Sequence, residues 1–366
     1  PVRGIDRTDR NPELIGVAQA AASADCRRRR RGRLGRLPHS RRGSGITYPG
    51  PAVLHHLGCL GDGEPALATT VGQWRALPTR RGALAVLSPE QLAAFERDGF
   101  LVLPNFVSRE RCDELKAHVE GLLDEIDPSD GAGLTVFDTS EQAHGDDEWF
   151  LDSGDKVRWF FEDGAVVNGA LTVPLRLAVN KLGHAMHDLD PAFEAFSRTP
   201  ELAAVAADLG FGDPKLLQSM YIFKQPGIGG EVSLHCDHTF LWTEPQSVIG
   251  FWFAIEDATQ ENGCLWVHPG GHRIPVKSRY RMTPDLTEAR METLNPEPYA
   301  TDDLVPLEAD AGTLVLLHGT LPHWSAPNTS NRSRHAFTLH VIDGVADYPA
   351  DNWLRRPPEL PLRGFA

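Results

Sequence analysis

The sequence predicts a mainly β fold, either a jelly-roll barrel or a β-sandwich, with helices packed around it. From residue 216 onward, several short segments alternate apolar and polar residues with a period of two, and turns rich in glycine and proline separate them. Before that point the apolar spacing is mostly helical. A helical first section followed by many short strands is typical of a β barrel or sandwich flanked by helices.

The helical section begins at Ser88, where the sequence has the signals of a helix start. Ser88 suits the N-cap, Pro89 the first turn, and Gln91 can complete a capping box, while Gly99 suits the C-terminal end. A strand is predicted over 100–103. Further helices are predicted from Ser108 onward, over 175–187 and over 201–209, and further strands over 216–224, 248–255, 263–267, 313–318 and 334–342. We interpret residues 86–366 as one domain.

Residues 1–85 differ in composition from the rest of the chain. They contain 15 Arg, no Lys and six acidic residues, so they carry +9, and the remaining residues carry −23 of the net −14. No sustained apolar periodicity is present there, which favours a disordered or non-native extension. The alternative is a basic targeting arm or a nucleic-acid tail. Because the rest is strongly acidic, we expect no nucleic-acid partner for it.

Composition narrows the class of protein further. The chain has 366 residues, of which 41% are hydrophobic and 23% charged, as in soluble globular proteins. The absence of a run of 18 apolar residues and of a signal-peptide pattern predicts no membrane association. Five scattered cysteines do not form a disulfide framework and indicate a reducing, cytoplasmic location. The oligomeric state cannot be predicted.

The segment around His235 and Asp237 has the pattern of a metal site. Residues two apart on a strand point to the same face, so an imidazole and a carboxylate would lie side by side, with Cys236 on the other face. A second histidine, His323, follows 88 positions later. Two histidines and one carboxylate form the facial triad of non-haem Fe(II) oxygenases. We therefore predict that His235, Asp237 and His323 bind iron.

Three other histidines compete for the metal. His238 adjoins the motif but should face the other way, His318 ends a predicted strand, and His340 lies within a late apolar strand. We prefer His323 because it follows a predicted strand through a turn, at the rim of a barrel.

Arg332 lies nine residues after His323 and is predicted to bind a co-substrate. A keto acid that chelates iron through one carboxylate leaves a second one, which a guanidinium can hold with two parallel hydrogen bonds. Arg334 is two residues further, hence on the same strand face, and competes for this role.

A longer series of residues extends the pattern around the predicted metal ligands. Its segments are 218–226 (QSMYIFKQP), 229–237 (GGEVSLHCD), 240–245 (FLWTEP), 256–259 (EDAT) and 261–266 (ENGCLW). This series resembles the phytanoyl-CoA dioxygenase family, and within it the subgroup of proteins named for a phytanoyl-CoA dioxygenase domain (domain-containing protein 1). The resemblance extends over about residues 88–345.

The resemblance implies a double-stranded β-helix fold, Fe(II), 2-oxoglutarate as co-substrate, and O₂. It implies that His235, Asp237 and His323 are the iron ligands and that Arg332 binds the far carboxylate of 2-oxoglutarate. Four further positions match residues of the family's co-substrate pocket: Lys181, Gln218, Tyr221 and Trp252. Lys181 falls on a predicted helix, and Gln218 and Tyr221 are three apart, so they cannot both face inward without a bulge.

The resulting prediction is a dioxygenase that hydroxylates a C–H bond of a small apolar or amphipathic metabolite and releases succinate and CO₂. Asp237 favours hydroxylation over halogenation, because related halogenases lack this ligand. The alternatives are a catalytically silent metal-binding scaffold of the same fold and a zinc hydrolase, since the same three ligands also suit zinc. The sequence does not reveal the substrate, or whether it is a CoA thioester.

Overall fold

The computed structural model describes residues 85–127, 134–136 and 147–366. The prediction for residues 1–85 therefore falls, except for Ala85, outside the described residues. Within them the helices are α1 (Pro89–Asp98), α2 (Arg109–Asp124), α3 (Glu148–Leu151), α4 (Leu175–Ala178), α5 (Met186–Leu189), α6 (Pro191–Ser197) and α7 (Pro200–Asp208).

The strands form two main antiparallel sheets. In chain order they are β1 (Phe100–Leu103), β2 (Val157–Phe161), β3 (Val166–Val167), β4 (Ala170–Leu171), β5 (Val179–His184), β6 (Pro214–Ile222), β7 (Val232–His235), β8 (Ile249–Ala254), β9 (Leu265–Val267), β10 (Ser278–Met282), β11 (Ala289–Thr293), β12 (Val305–Leu307), β13 (Leu314–His318), β14 (His323–Ser325) and β15 (Ala336–Asp343). The larger sheet has the order β1-β13-β8-β15-β6-β5-β2, and the smaller one β12-β9-β14-β7. β10–β11 and β3–β4 are separate hairpins.

The two sheets pack face to face as a jelly roll. Trp252 and Val315 of the larger sheet share a buried cluster with Leu265 and Val267 of the smaller one. Alternation along each strand directs the other residues of the larger sheet outward, where Phe251 and its neighbours form a second cluster with the helices. The predicted jelly-roll class is thus confirmed.

The helices cover the outer face of the larger sheet. α2 begins at Ser108, whose side chain accepts a hydrogen bond from the Arg111 amide, and it buries one stripe of side chains. That stripe consists of Cys112, Leu115, Val119 and Leu123. The helices therefore cover this face of the larger sheet, and its other face is directed toward the smaller sheet.

Most predicted elements are confirmed. α1 has the predicted capping box between Ser88 and Gln91, and Gly99 ends it in the left-handed region at φ 81°. β1, α2 and α7 lie where they were predicted, as do β6, β8, β9, β13 and β15, whereas β10, β11, β12 and β14 were not predicted. The described residues contain no helix long and apolar enough to cross a membrane.

The predicted helix over 175–187 is wrong. Only one turn of helix lies at each end, α4 and α5, and β5 runs between them, hydrogen-bonded between β2 and β6. Five of the six residues of β5 are buried, so the segment does not show the alternation of a half-exposed strand. Because long-range pairing formed this strand, the local pattern could not reveal it.

Candidate metal centre and co-substrate pocket

Strand register brings two of the predicted metal ligands together. His235 is the last residue of β7 and His323 the first of β14, and the two are direct partners across the antiparallel pair. Their ring centroids are 4.4 Å apart. The sequence had indicated that Asp237 lies on the same strand as His235. In the structure it instead begins the 3₁₀ turn Asp237–Thr239, after β7 ends. The turn keeps its carboxylate beside both imidazoles.

The three side chains converge on one point. Asp237 Oδ1 lies 3.8 Å from Nε2 of His235 and 3.6 Å from Nε2 of His323. All three donor atoms lie within 4.8 Å of one another. Two ligand atoms bound to one metal at ~2.1 Å and at right angles are ~3 Å apart, so a small inward movement closes the set around an ion.

Backbone carbonyls orient both imidazoles. Nδ1 of His235 donates to the carbonyl of Ser233 at 2.7 Å, and Nδ1 of His323 donates to that of Leu321 at 3.0 Å. Each ring therefore carries its proton on Nδ1 and leaves the Nε2 lone pair free toward Asp237. This arrangement fixes the tautomer of metal-binding histidines.

The carboxylate of Asp237 is buried and incompletely satisfied. Oδ2 has no hydrogen-bond partner, and Oδ1 lies 3.3 Å from Nε2 of His340. Burial alone would raise the pKa of Asp237, but His340, His323 and His235 together hold it below its ordinary value. A buried carboxylate beside two imidazoles that direct Nε2 toward it is a donor set that fits divalent iron.

Two of the three competing histidines, His238 and His318, have other partners. His238 stacks on Trp242 with ring centroids 4.1 Å apart, and Nδ1 of His318 is 2.9 Å from the hydroxyl of Thr320. Among the described residues, no other group of three His, Cys, Asp or Glu could hold a metal. The structure therefore brings His323, rather than His238 or His318, beside His235 and Asp237. His340 contacts Asp237 and was missed as a neighbour of the metal site.

The structure does not bring Arg332 to the cluster. Arg332 is exposed, in a turn closed by hydrogen bonds from Asn328 and Ser330 to its carbonyl. Arg334, two residues nearer to β15, is 1% exposed. The expectation for Arg332 thus needs correction: the extended backbone that would give both arginines one face begins only after the turn.

Arg334 lies in the interior beside β14. Its Nε donates to the carbonyl of Gly263 at 3.0 Å and its Nη2 to the hydroxyl of Ser325 at 3.3 Å, while Nη1 has no partner. Burial lowers its pKa to about 10. Ser325 is two residues from His323 on the same strand, so it lies ~7 Å from that ligand. The spacing suits a short dicarboxylate with one end at the metal.

The indole ring of Trp252 packs against the guanidinium group of Arg334. The guanidinium carbon lies 5.6 Å from the indole centroid, within the range of a cation–π contact. Trp252 belongs to the core between the sheets. Thr338 is its neighbour on β15, and the Thr338 hydroxyl is buried without a partner. Trp252 thus lies beside Arg334, and its role near a co-substrate stays a prediction.

Two of the other three predicted pocket residues line a cavity next to the triad. Lys181 and Gln218 are both 4% exposed and face this cavity. Burial holds the pKa of Lys181 well below its ordinary value. Tyr221 does not face it: alternation along β6 turns it to the helix side, where its hydroxyl forms a hydrogen bond with His335. The prediction for Tyr221 is therefore corrected.

The cavity measures about 660 Å³ and reaches His235 and Asp237 at its inner end. Its outer wall comes from the β10–β11 hairpin, from residues 295–299 and from Trp353 near the C-terminus. Trp353 was missed because nothing in the local sequence pattern connects it with the site. The residues of the wall are mostly apolar, and the volume is that of a small-molecule site.

Fold and site together define a class of protein. A jelly roll with two histidines and one carboxylate at the mouth of a small-molecule cavity is a non-haem iron dioxygenase of the 2-oxoglutarate type.

The comparisons identify the family within this class. The family model described as Phytanoyl-CoA dioxygenase (PhyH) matches residues 95–336, so the chain belongs to this family. It is 43% identical over 273 residues to the phytanoyl-CoA dioxygenase domain-containing protein 1 homolog of Dictyostelium discoideum, covering 74% of this chain and 96% of the relative. It is also 43% identical over 287 residues to phytanoyl-CoA dioxygenase domain-containing protein 1 of Bos taurus, covering 76% and 98%.

Solved structures show the same fold. The chain superposes on EctD from S. alaskensis, crystallised with 2-oxoglutarate and 5-hydroxyectoine, with a TM-score of 0.52 at 22% identity, covering 76% of this chain and 85% of that one. It superposes on SnoK, a non-haem α-ketoglutarate-dependent carbocyclase from nogalamycin biosynthesis, with a TM-score of 0.51 at 21% identity, covering 77% and 97%.

Proposed function

We propose that this protein is an Fe(II)- and 2-oxoglutarate-dependent dioxygenase that hydroxylates a C–H bond of a small apolar or amphipathic metabolite. The observation that carries this proposal is that His235, Asp237 and His323 converge on one point, and that the buried guanidinium of Arg334 contacts Ser325, two residues from His323 on β14. EctD, which shares the fold, was crystallised with iron and, separately, with 2-oxoglutarate and 5-hydroxyectoine. Names of relatives at 43% identity point to the same chemistry.

His235, Asp237 and His323 would hold the iron through one face and leave its other face open. Bound iron, with 2-oxoglutarate and O₂, supplies the oxidation that couples release of succinate and CO₂ to hydroxylation. The chain provides position: the carbonyls of Ser233 and Leu321 keep both Nε2 atoms directed at the metal.

Arg334, rather than Arg332, would bind the far carboxylate of 2-oxoglutarate. Its Nη1 is free of protein partners, and Trp252 and Ser325 fix the guanidinium plane. Lys181 and Gln218 border the cavity that reaches His235 and Asp237. An arriving carboxylate would favour the protonated form of Lys181, because an adjacent opposite charge raises the pKa of an amine.

We propose residues 86–366 as the catalytic domain, which the family match over 95–336 supports. Cys112, Cys236 and Cys264 are free thiols in the described part of the chain, which suits a reducing, cytoplasmic location.

The deciding experiment removes the metal carboxylate. Wild-type protein loaded anaerobically with Fe(II) should form succinate from 2-oxoglutarate on exposure to O₂, and Asp237→Ala should reduce this to background. Asp213→Ala is the control, since Asp213 is a surface residue paired with Lys215. Succinate formation retained in Asp237→Ala would remove the proposal.

The same assay separates the alternative functions. A silent scaffold would bind iron but form no succinate even as wild type. A zinc hydrolase would lose activity when zinc is replaced by iron, and 2-oxoglutarate would not affect it.

A further inference from the structure

The cavity continues from the metal site along a row of aromatic side chains. The ring of Phe240 lies 5.9 Å from that of His235 and 5.7 Å from that of Tyr280 on β10. Phe150 and Trp353, which also line the cavity, are stacked with centroids 4.3 Å apart. An apolar body packed against these rings and against Phe240 would reach the predicted iron ligand His235.

At its outer end the cavity carries a positive charge. Lys277 precedes β10, and its carbonyl accepts hydrogen bonds from the amides of Leu294 and Asn295, which closes the base of the hairpin. Its ammonium lies 5.4 Å from the ring centroid of Tyr299, another cavity residue. Within the described part of the chain, Lys277 forms no ion pair within 4.0 Å, although the exposed Glu297 lines the same cavity.

This free cation stands out because acidic residues outnumber basic ones by 23 over residues 86–366. Three other lysines of the domain form ion pairs: Lys116 with Glu256, Lys156 with Asp152 and Asp155, and Lys215 with Asp213. Lys224 donates to the carbonyls of Gly230 and Ser325, and Lys181 is a buried residue of the same cavity. A half-buried ammonium beside an apolar cavity contributes most when an anion meets it there.

We propose that Lys277 selects the substrate, and that the substrate is an amphipathic anion. Its apolar body packs against the Phe240–Tyr280 row and the Phe150–Trp353 pair, and its carboxylate, phosphate or sulfate group pairs with Lys277. This inference rests on the proposed dioxygenase function, since it takes the inner end of the cavity as the site of C–H oxidation.

The test compares three ten-carbon probes of different charge: decane-1-sulfonate, 1-decanol and decyltrimethylammonium. Sulfonate is chosen because it is a poor iron ligand and does not compete for the metal. Binding is measured by calorimetry under anaerobic conditions, below the micelle concentration, on protein loaded with Fe(II) and 2-oxoglutarate. Lys277→Met is compared with Lys277→Arg and with the surface control Lys215→Met.

In the wild type the sulfonate should bind at least ~5-fold more tightly than the alcohol, as expected of one partly desolvated ion pair, and the cation should bind most weakly. Lys277→Met should abolish this preference, while Lys277→Arg and Lys215→Met should keep it. Raising the salt concentration should reduce it.

Equal binding of the three probes to the wild type, or an anion preference that persists in Lys277→Met, would overturn the inference. A separate measurement of succinate formation by the wild type distinguishes this result from failure of the proposed function. If Lys277→Met does not fold, the anion preference in Lys277→Gln, judged against Lys277→Arg, decides the question.

Discussion

The two ends of the cavity are built in different ways. At the metal end, His235 and His323 are paired by strand register, and backbone carbonyls two residues away orient both rings. The outer wall comes from a separate hairpin, a loop and Trp353, which lies beyond the family match of 95–336. The sheets therefore position the metal ligands, while the peripheral segments form the wall at which the proposed substrate selection would occur.

An ion network attaches one of these peripheral segments. Asp188, whose side chain is fully buried, lies 2.6 Å from Arg198, 3.1 Å from Arg356 and 2.9 Å from Arg363. Arg356 is only three residues from Trp353. The network therefore ties the C-terminal segment, and the cavity wall that it carries, to α5 and α6.

The largest expected effect comes from removing Asp188, the centre of this ion network. The substitution tests whether the metal end and the outer wall of the cavity are independent. Asp188→Asn leaves buried arginines unpaired and should lower the free energy of unfolding by ~3–5 kcal/mol. Urea denaturation provides the measurement, with Asp213→Asn as an exposed control. In the folded variant, Fe(II) affinity should be unchanged while binding of decane-1-sulfonate weakens. Equal weakening of both would mean that the two ends are not independent.

The same variant gives a pH test. Burial would raise the pKa of Asp188, but His187, Arg356 and Arg198 outweigh this and hold it below its ordinary value. A depressed carboxyl pKa contributes stability above the pKa of the unfolded chain, about 4, and this contribution is lost as pH falls below it. The stability difference between wild type and Asp188→Asn should thus be constant near pH 7 and shrink below pH ~4. A difference independent of pH would exclude the ionised network.

The next largest effect tests which of the two arginines binds the far carboxylate of 2-oxoglutarate. Arg334→Gln should raise the KM for 2-oxoglutarate by ~30–100-fold, because a buried, charge-assisted pair of hydrogen bonds is lost. Arg332→Gln should leave the KM unchanged, since Arg332 is exposed. Succinate formation at varied 2-oxoglutarate concentration measures both, and circular dichroism verifies folding. The opposite ranking would restore the interpretation made from the sequence.

A smaller effect is expected at His340, which contacts the metal carboxylate from β15. His340→Leu removes the 3.3 Å contact with Asp237 and should weaken Fe(II) binding by ~10-fold, as is usual for residues that orient a ligand. An anaerobic Fe(II) titration measures this. His118→Gln is the control, because His118 pairs with Asp190 on the surface of the helical layer. Unchanged iron affinity would make His340 a packing residue only.

The sequence predicted the parts of the site that local patterns determine. The His-x-Asp spacing and the turn before His323 led to the triad, and the capping box led to α1. The features that the sequence did not predict depend on long-range strand pairing. Lys181, for example, lies on β5 rather than on a helix because β5 is hydrogen-bonded between β2 and β6. The choice between Arg332 and Arg334 depended on where the turn ends, because both have the same parity as Ala336, Thr338 and His340 of β15. No local pattern could have assigned Trp353 to the wall.

The smallest effect compares the two faces of β6 itself. Tyr221→Phe removes a buried hydrogen bond to His335 and should cost ~1 kcal/mol of stability, with the KM for 2-oxoglutarate unchanged. Gln218→Leu, three residues away on the cavity side, should change that KM with little loss of stability, since Leu is similar in size and Gln218 borders the cavity. Urea denaturation and succinate kinetics on both variants supply the comparison. If Tyr221→Phe altered the KM, the helix-side face of β6 would communicate with the co-substrate, and the separation of chemistry from packing within this strand would fail.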